Sequence, residues 1–182
     1  MPKFERIDGS LRDFIETQKI FFVATAAPEG RVNVAPKGMD TLRVLGPNRI
    51  VWLNLTGTEN ETAAHLIEST RMTLMWCSFE ARTLILRVYG HAKAFHPRSN
   101  GWSDLVALFP SLPGTRQILD LDVDLVLTSC GFGVPLFDYV GQRDTLQQWA
   151  ERKGPEGVHE FWKKRNQFGI DGKPSHILSD DD

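Results

Sequence analysis

The sequence predicts a mainly β protein, a small antiparallel β-barrel of about six strands with helices at its ends. From residue 20 to residue 129, short segments of alternating apolar and polar residues are separated by turns rich in glycine, proline and asparagine. Helical apolar spacing is confined to short stretches. With 182 residues the chain suits one well-buried domain. We therefore expect a single domain over residues 1–170 and a polar, flexible tail over 171–182.

The N-terminal part predicts a helix and a hairpin. The helix begins at Ser10, where Asp13 three residues later makes a weak capping box, and apolar residues follow at helical spacing. Residues 21–26 form a dense apolar run. Val32 and Val34 then alternate with polar residues across a Pro-Glu-Gly turn, which predicts a β-hairpin.

A second hairpin and a short helix come next. Asp40–Leu45 and Arg49–Leu55 are predicted strands around a Gly-Pro-Asn turn. Thr58 and Glu61 have the spacing of a capping box, which predicts a helix through about Glu68.

Three long strands are predicted over Arg71–Phe79, Thr83–Phe95 and Ile118–Ser129. Gly90 in the second is a predicted bulge or barrel corner. In the third, apolar residues occupy the odd positions from 119 to 127. The alternate aspartates are spaced too regularly for a compact metal shell, so we expect a solvated outer face made by Asp120, Asp122 and Asp124.

Helical spacing returns between the last two strands and at the C-terminal end. A helix from Trp102 to Phe109 is stopped by Pro110. Arg143–Lys153 and Glu156–Arg165 are predicted as two helices separated by glycine and proline. Their tryptophans, Trp149 and Trp162, indicate a core or subunit contact more than a cofactor site.

Composition excludes several classes of function. The net charge of −2 argues against a nucleic-acid-binding protein. No apolar run is long enough to span a bilayer, and the N-terminus has no apolar signal core. Cys77 and Cys130 lack the spacing of a disulfide framework or a zinc site, so we expect a cytoplasmic protein without metal.

The loop Thr56–Thr62 is the strongest candidate for an anion site. Hydroxyls, an amide and free N–H groups converge there, where a strand leads into a helix. Glu59 and Glu61 count against a phosphate among these side chains, so a cation must come from elsewhere. Lys37, at the end of the first hairpin, is the natural source. The alternatives are an ordinary capped helix start and a solvated lysine at the end of a strand.

The segment Cys130–Pro135 has two glycines around a phenylalanine, just after a strand. Such a turn could press a peptide against a flat ring, or it could be a tight strand exit with Phe132 in the core. Cys130 has no identifiable base nearby, so we expect a buried thiol. No catalytic residue can be assigned from the sequence.

Residues 20–38, 52–66 and 84–95, in this order, resemble the pyridoxamine 5′-phosphate oxidase-like group of FMN-binding split barrels. Residues 129–135 (SCGFGVP) resemble one bacterial branch of that group. The similarity spans about residues 10–165. It implies a six-stranded split barrel with C-terminal helices, a homodimer, and one FMN in each of two clefts between the subunits.

The resemblance also implies a set of cofactor-binding residues. One group would lie along the flavin ring edge or reach the phosphate: Val34, Ala35, Pro36 and Lys37. A second would run beside the ring and ribityl chain: Leu53, Asn54, Leu55 and Thr56. Asn60, Glu61 and Thr62 would serve the phosphate, and Arg87 would contact the flavin or the partner chain.

Two departures separate the chain from the oxidases of the group. Glu61 and Thr62 occupy the positions of their Arg-Lys pair, and the C-terminal arginine motif that grips the substrate is not recognisable. The resemblance therefore implies an FMN-dependent oxidoreductase acting on an unidentified small molecule. The alternatives are a non-catalytic protein that binds flavin or another small ligand, and a split-barrel protein that handles deazaflavin or haem.

Overall fold

A computed structural model describes residues 2–178, which form one sheet of eight strands with helices around it. The strands are β1 (Lys3–Phe4), β2 (Phe21–Thr25), β3 (Asn33–Lys37), β4 (Leu42–Gly46), β5 (Arg49–Leu55), β6 (Arg71–Cys77), β7 (Ile85–Phe95) and β8 (Thr115–Ser129). The helices are α1 (Gly9–Thr17), α2 (Glu61–Glu68), α3 (Trp102–Val106) and α4 (Thr145–Arg165).

The strands follow the order β3-β2-β6-β7-β8-β5-β4, with β1 beside β8, and neighbouring strands are antiparallel. Strands β3 and β4 lie at the two edges, and no pairing in the described part of the chain joins them. The predicted mainly β, antiparallel architecture is confirmed. Eight strands are present where about six are predicted, and the two-residue β1 is too short to leave a periodic pattern in the sequence.

The main core fills the inside of the curled sheet and is closed at one end by α1, whose Leu11, Phe14 and Ile15 belong to it. Strand β5 is buried on both faces. Its Ile50 and Trp52 join this core, while Val51 and Leu53 join a second cluster under α3. Burial on both sides explains why β5 reads as a continuous apolar run.

The predicted bulge at Gly90 is confirmed, and it changes the orientation of β8. Tyr89 pairs with Leu125 and Gly90 with Val123, so the residue between these two partners is extra. A Cβ atom on Gly90 would lie 1.9 Å from the Asp122 carbonyl oxygen, which only glycine avoids. After the bulge, the next core residue of β8 is therefore Val126. The alternation predicted from the sequence, in which the odd positions through 127 share one face, is wrong beyond Val123.

Two predicted helix starts are wrong in detail. Helix α1 is capped by Asp8, whose carboxylate accepts hydrogen bonds from the Leu11 N–H and the Ser10 hydroxyl, each at 2.8 Å. These bonds hold the pKa of Asp8 below its usual value. Helix α2 begins after Asn60, whose side chain makes no capping bond, so the predicted box from Thr58 does not form.

Helix α4 contains a break where the sequence predicts one. Gly154 has a positive φ of 65°, and Pro155 restarts the helix after it. The two predicted C-terminal helices are thus confirmed, with the first beginning at Thr145.

Residues 166–177, called here the C-terminal strap, run back across the body after α4. Asp171 pairs with Arg31 in the β2–β3 turn, and Lys173 contacts both carboxylate oxygens of Glu68 at 2.7 Å. Ile177 is buried. Charged residues distant in sequence thus contact this segment. The flexible tail over 171–182 stays a prediction, and its residues 179–182 lie outside the described part.

Within residues 2–178, no helix has the length and apolar character needed to cross a membrane.

Candidate ligand site between the barrel and helix α4

A cavity of about 1180 Å³ lies between the end of β3, the loop after β5, the segment of residues 137–146 and helix α4. Its aromatic lining comes from distant parts of the chain: Phe79, Phe137, Tyr139, Trp149 and Phe161. Its charged lining consists of four cations and two carboxylates: Lys19, Lys37, Arg143, Arg165, Glu80 and Asp138. Flat apolar walls with a surplus of positive charge suit a planar anionic ligand.

Lys37 is the cation nearest the barrel core. It ends β3, next to Pro36 and Gly38, and its Nζ atom lies 5.3 Å from the centroid of the Trp52 ring. Within the described residues it forms no ion pair with a carboxylate. Burial, with a smaller contribution from the positive charge of Arg116, lowers the pKa of Lys37 to about 8.

Arg116, at the start of β8, is more deeply buried than Lys37. Its Nη1 donates to the Glu59 carbonyl at 3.0 Å and to Asn166 Oδ1 at 2.8 Å. The Asn54 amide is oriented so that its nitrogen donates to the Leu55 carbonyl. Its oxygen then accepts a hydrogen bond from Arg116 Nη2 at 3.0 Å. These partners are neutral, and burial lowers the pKa of Arg116. The sequence did not indicate this residue, because the predicted strand begins at Ile118 whereas β8 begins at Thr115.

The loop after β5 is held by the chain's own C-terminal region. Thr56 Oγ1 donates to the Gly114 carbonyl at 2.8 Å and accepts from Trp162 Nε1 at 2.9 Å. Asn166 Nδ2 donates to the carbonyls of Gly57 and Thr58 at 3.2 and 3.1 Å. Asn166 thus fixes the loop through its carbonyls, and the Thr56 hydroxyl is already hydrogen-bonded within the chain.

The start of α2 is likewise enclosed. Glu61 accepts a hydrogen bond from the Ile170 N–H in the strap, and Thr62 accepts one from Asn33 Nδ2 at 3.1 Å. Asn60 is buried, and both of its side-chain polar atoms lack a partner in the described structure. None of these three residues lines the cavity.

The remaining predicted residues are spread over the barrel. Leu53 is in the second apolar cluster, Leu55 packs against it, and the buried Asn54 side chain bonds Arg116 as described above. Val34 is exposed on the edge strand, with Ala35 beside it, and Arg87 donates to Ser129 Oγ at 3.2 Å on a different part of the sheet. Of the predicted residues, the cavity brings together Pro36 and Lys37 with Thr56, Gly57 and Thr58 of the predicted anion loop.

The two C-terminal tryptophans have different roles. Trp162 holds the loop through Thr56, while Trp149 lines the cavity beside Phe161, with ring centroids 5.1 Å apart. The sequence indicated a core or subunit contact for Trp149 and did not indicate its position in the cavity wall. Its helical spacing does not reveal which face α4 turns to the barrel.

In the segment after β8, the prediction of a tight strand exit with Phe132 in the core is wrong. Phe132 is 80% exposed, so it is not in the core. Gly131 has a φ of 67° and lies against the backbone of Leu84. The expectation of a buried thiol at Cys130 is wrong, because that residue is exposed and Cys77 is the buried cysteine.

An antiparallel barrel open between β3 and β4, with an aromatic and cationic cavity at its side, defines a ligand-binding split barrel. The family model for pyridoxamine 5′-phosphate oxidase matches residues 7–130. The chain belongs to this family, and the resemblance seen in its sequence is confirmed.

A pyridoxamine 5′-phosphate oxidase family protein of Aspergillus flavus, ustO, is 38% identical over 194 aligned positions, which cover 96% of this chain and 78% of that protein. Among solved structures, a candidate pyridoxamine 5′-phosphate oxidase of Lactobacillus delbrueckii has a TM-score of 0.57 at 18% identity, covering 70% of this chain and 99% of its own. HupZ from Group A Streptococcus has a TM-score of 0.52 at 16% identity, covering 67% of this chain and 93% of its own. At these identities the structural likeness concerns the fold.

Proposed function

We propose that the protein binds FMN in the cavity beside Lys37 and acts as an oxidoreductase on an unidentified small molecule. The observation that carries the proposal is a half-buried lysine without a carboxylate partner in the described structure, in a cavity walled by aromatic rings. A buried, unpaired cation is costly, and an anionic ligand offsets that cost. Membership of the pyridoxamine 5′-phosphate oxidase family supports a flavin as that ligand.

The residues present fit a flavin. Trp149 and Phe161 offer flat surfaces to the ring system, and the cavity of about 1180 Å³ has room for it and for a small second molecule. Lys37 supplies positive charge to an anionic part of the ligand. A bound flavin would supply hydride or single-electron transfer, and the chain would hold it, exclude water and set the charge around it.

A second subunit is part of the proposal. Exposed apolar side chains lie on and just before the edge strand β3 and in the segment after β8: Val32, Val34, Phe132, Leu136 and Val140. Apolar surface of this kind often marks an interface. In a homodimer, the exposed Val34 and the partly exposed Arg87 would face a cofactor cleft completed by the partner, while the buried Leu53, Asn54, Asn60 and Thr62 would shape the wall behind it.

A non-catalytic flavin-binding protein is the second candidate. Among the described residues that line the cavity there is no histidine or cysteine, so few groups are suited to proton transfer at neutral pH. Such a protein would bind FMN and fail to oxidise NADH, NADPH or pyridoxamine phosphate.

The experiment is to purify the protein, record its visible spectrum and the mass of any bound molecule, and titrate FMN into the colourless form. We expect flavin fluorescence to be quenched and the melting temperature to rise, because a ligand that binds only the folded state stabilises it. Unchanged fluorescence and an unchanged melting temperature would contradict the proposal. Sedimentation with and without FMN tests the homodimer.

A further inference from the structure

A second cleft, called here the strap cleft, lies between the end of helix α4 and the C-terminal strap. It has a volume of about 340 Å³ and is lined by the last turn of α4, by strap residues 167–170 and by Thr58 and Glu59. Thr58 and Arg165 also line the main cavity, so the two spaces share a wall. Most of the strap cleft comes from residues after 130, beyond the part of the chain that the family model matches.

The strap cleft has a surplus of positive charge. Three consecutive cations of α4 line it, Lys163, Lys164 and Arg165, against the single carboxylate of Glu59. Neighbouring residues of a helix point in different directions, but α4 ends here and the chain turns back, so all three border one space. Among the described residues, Lys164 and Arg165 form no ion pair, and Lys163 lies 3.8 Å from Glu160, which is outside the cleft.

The end of α4 has capping partners of its own. Basic residues in a last helical turn often serve only to balance the negative end of the helix dipole. Here the Trp162 carbonyl accepts a hydrogen bond from the Asn166 N–H at 2.9 Å, and the Lys163 carbonyl accepts one from Gln167 Nε2 at 2.6 Å. The three cationic groups are therefore available to an anion in the cleft.

The strap side of the cleft is a hydrogen-bonded turn with apolar side chains at its surface. The Gly169 N–H donates to the Lys173 carbonyl at 2.8 Å, and the Ile170 N–H donates to the Glu61 carboxylate. Phe168 and Ile170 are 58% and 59% exposed. An aromatic ring on a fixed turn beside three cations suits a ligand that has both a flat ring and phosphate groups.

We propose that the strap cleft binds a nucleoside diphosphate unit. Lys163, Lys164 and Arg165 would hold the phosphates through charge-assisted hydrogen bonds, and the Phe168 ring would lie against the base. The unit has two sources, a free nucleotide or the distal half of a dinucleotide whose other half lies in the main cavity. The proposal does not depend on the flavin proposal, because the cleft has its own cations.

The test is calorimetric titration with ADP at low and at high salt. We expect one site per chain, with weaker binding at high salt because surface charges are screened. Lys164→Ala should weaken binding about tenfold, since it removes one charge-assisted contact. Glu59→Gln should tighten binding about threefold, because it removes the carboxylate that faces the same space.

The matched control is Lys153→Ala, an exposed lysine of the same helix that does not line the cleft and should leave the affinity unchanged. The three substituted residues are all exposed, and thermal unfolding checks that each variant folds. No binding of ADP at low salt would overturn the proposal. Equal losses in Lys164→Ala and Lys153→Ala, or weaker binding by Glu59→Gln, would also overturn it.

Titrations with FMN and FAD separate the two sources and the two proposals. FAD that binds more tightly than FMN, with the difference lost in Lys164→Ala, would support the distal half of a dinucleotide. ADP that binds alongside FMN, without a tighter binding of FAD, would support a free nucleotide. ADP that displaces FMN would place both in one site and overturn the proposal. ADP binding without FMN binding would support the strap cleft and contradict the flavin proposal.

Discussion

The two parts of the predicted anion site contrast sharply in the folded chain. At the end of β3, Lys37 lines an aromatic cavity and has no carboxylate partner among the described residues. In the loop after β5, Thr56 and the carbonyls of Gly57 and Thr58 are already paired with Trp162 and Asn166. Lys37 therefore has no carboxylate to pair with, whereas the Thr56 hydroxyl and the two loop carbonyls are hydrogen-bonded to residues of the same chain.

The contrast teaches that a polar loop at a helix start is not by itself a ligand site. Trp162 and Asn166 lie more than 100 residues after the loop, and Asn166 also fixes Arg116. A polar group that is satisfied internally has little left to offer a ligand, whereas a buried unpaired cation favours one.

The largest effect is expected from Asn166→Ala. The variant leaves the Gly57 and Thr58 carbonyls and part of the Arg116 guanidinium without partners, which should cost about 3 kcal/mol of unfolding free energy. Urea denaturation measures it. The matched control is Gln167→Ala, an exposed neighbour, for which we expect a change within about 0.5 kcal/mol. Equal effects in both variants would show that the loop does not need Asn166.

Lys37→Met should stabilise the ligand-free protein at pH 7, by roughly 2 kcal/mol, because it removes an unpaired buried charge. The folded-state pKa of about 8 is below the ordinary 10.5, so the unfolded chain binds more protons between these values. The stability of the unaltered protein should therefore rise relative to the variant as pH increases from 8 to 10.5, and the gap should close.

Urea denaturation of both proteins at pH 7 and pH 10 measures that gap. A variant less stable than the unaltered protein at pH 7, or a gap that widens with pH, would show that Lys37 has a stabilising partner.

Trp149→Ala should weaken FMN binding about tenfold, since it removes one flat wall of the cavity. Fluorescence titration measures the dissociation constant. The control is Phe168→Ala, an exposed aromatic residue of the C-terminal strap that does not line the cavity and should leave the affinity unchanged. The same loss in both variants would place the ligand elsewhere.

The smallest effect is expected from Lys173→Ala in the C-terminal strap. Its pair with Glu68 is partly exposed, so the loss of stability should be below about 1 kcal/mol. Thermal unfolding checks it, and FMN affinity should be unchanged because Lys173 does not line the cavity. A clear loss of affinity would mean that the strap takes part in binding.

Much of the fold could be predicted from the sequence, because hairpins and helix breaks are encoded locally. The turn before Val32, the bulge at Gly90 and the break at Gly154 all lie where glycine or turn residues indicate them. The sequence did not predict which residues of β8 face the core after the bulge. One extra residue places Val126 in the core, and the apolar pattern around it does not indicate this change.

The candidate site was predicted only in part. Lys37 stands out beside Pro36 and Gly38, and it does line the cavity. Arg116 and Trp149 did not stand out, because their positions depend on where β8 begins and on which face of α4 meets the barrel. Contacts of this kind join residues far apart in the chain, and local patterns carry no information about them.

The most direct test of the contrast is the affinity for FMN at pH 7 and pH 9, measured by fluorescence titration for the unaltered protein and for Lys37→Met. Since the pKa of Lys37 is about 8, its charge is mostly present at pH 7 and mostly lost at pH 9. We predict that the unaltered protein binds FMN about tenfold more weakly at pH 9, while the variant binds weakly and equally at both values. An equal change with pH in both proteins would contradict the assignment of Lys37 as the cation that holds the ligand.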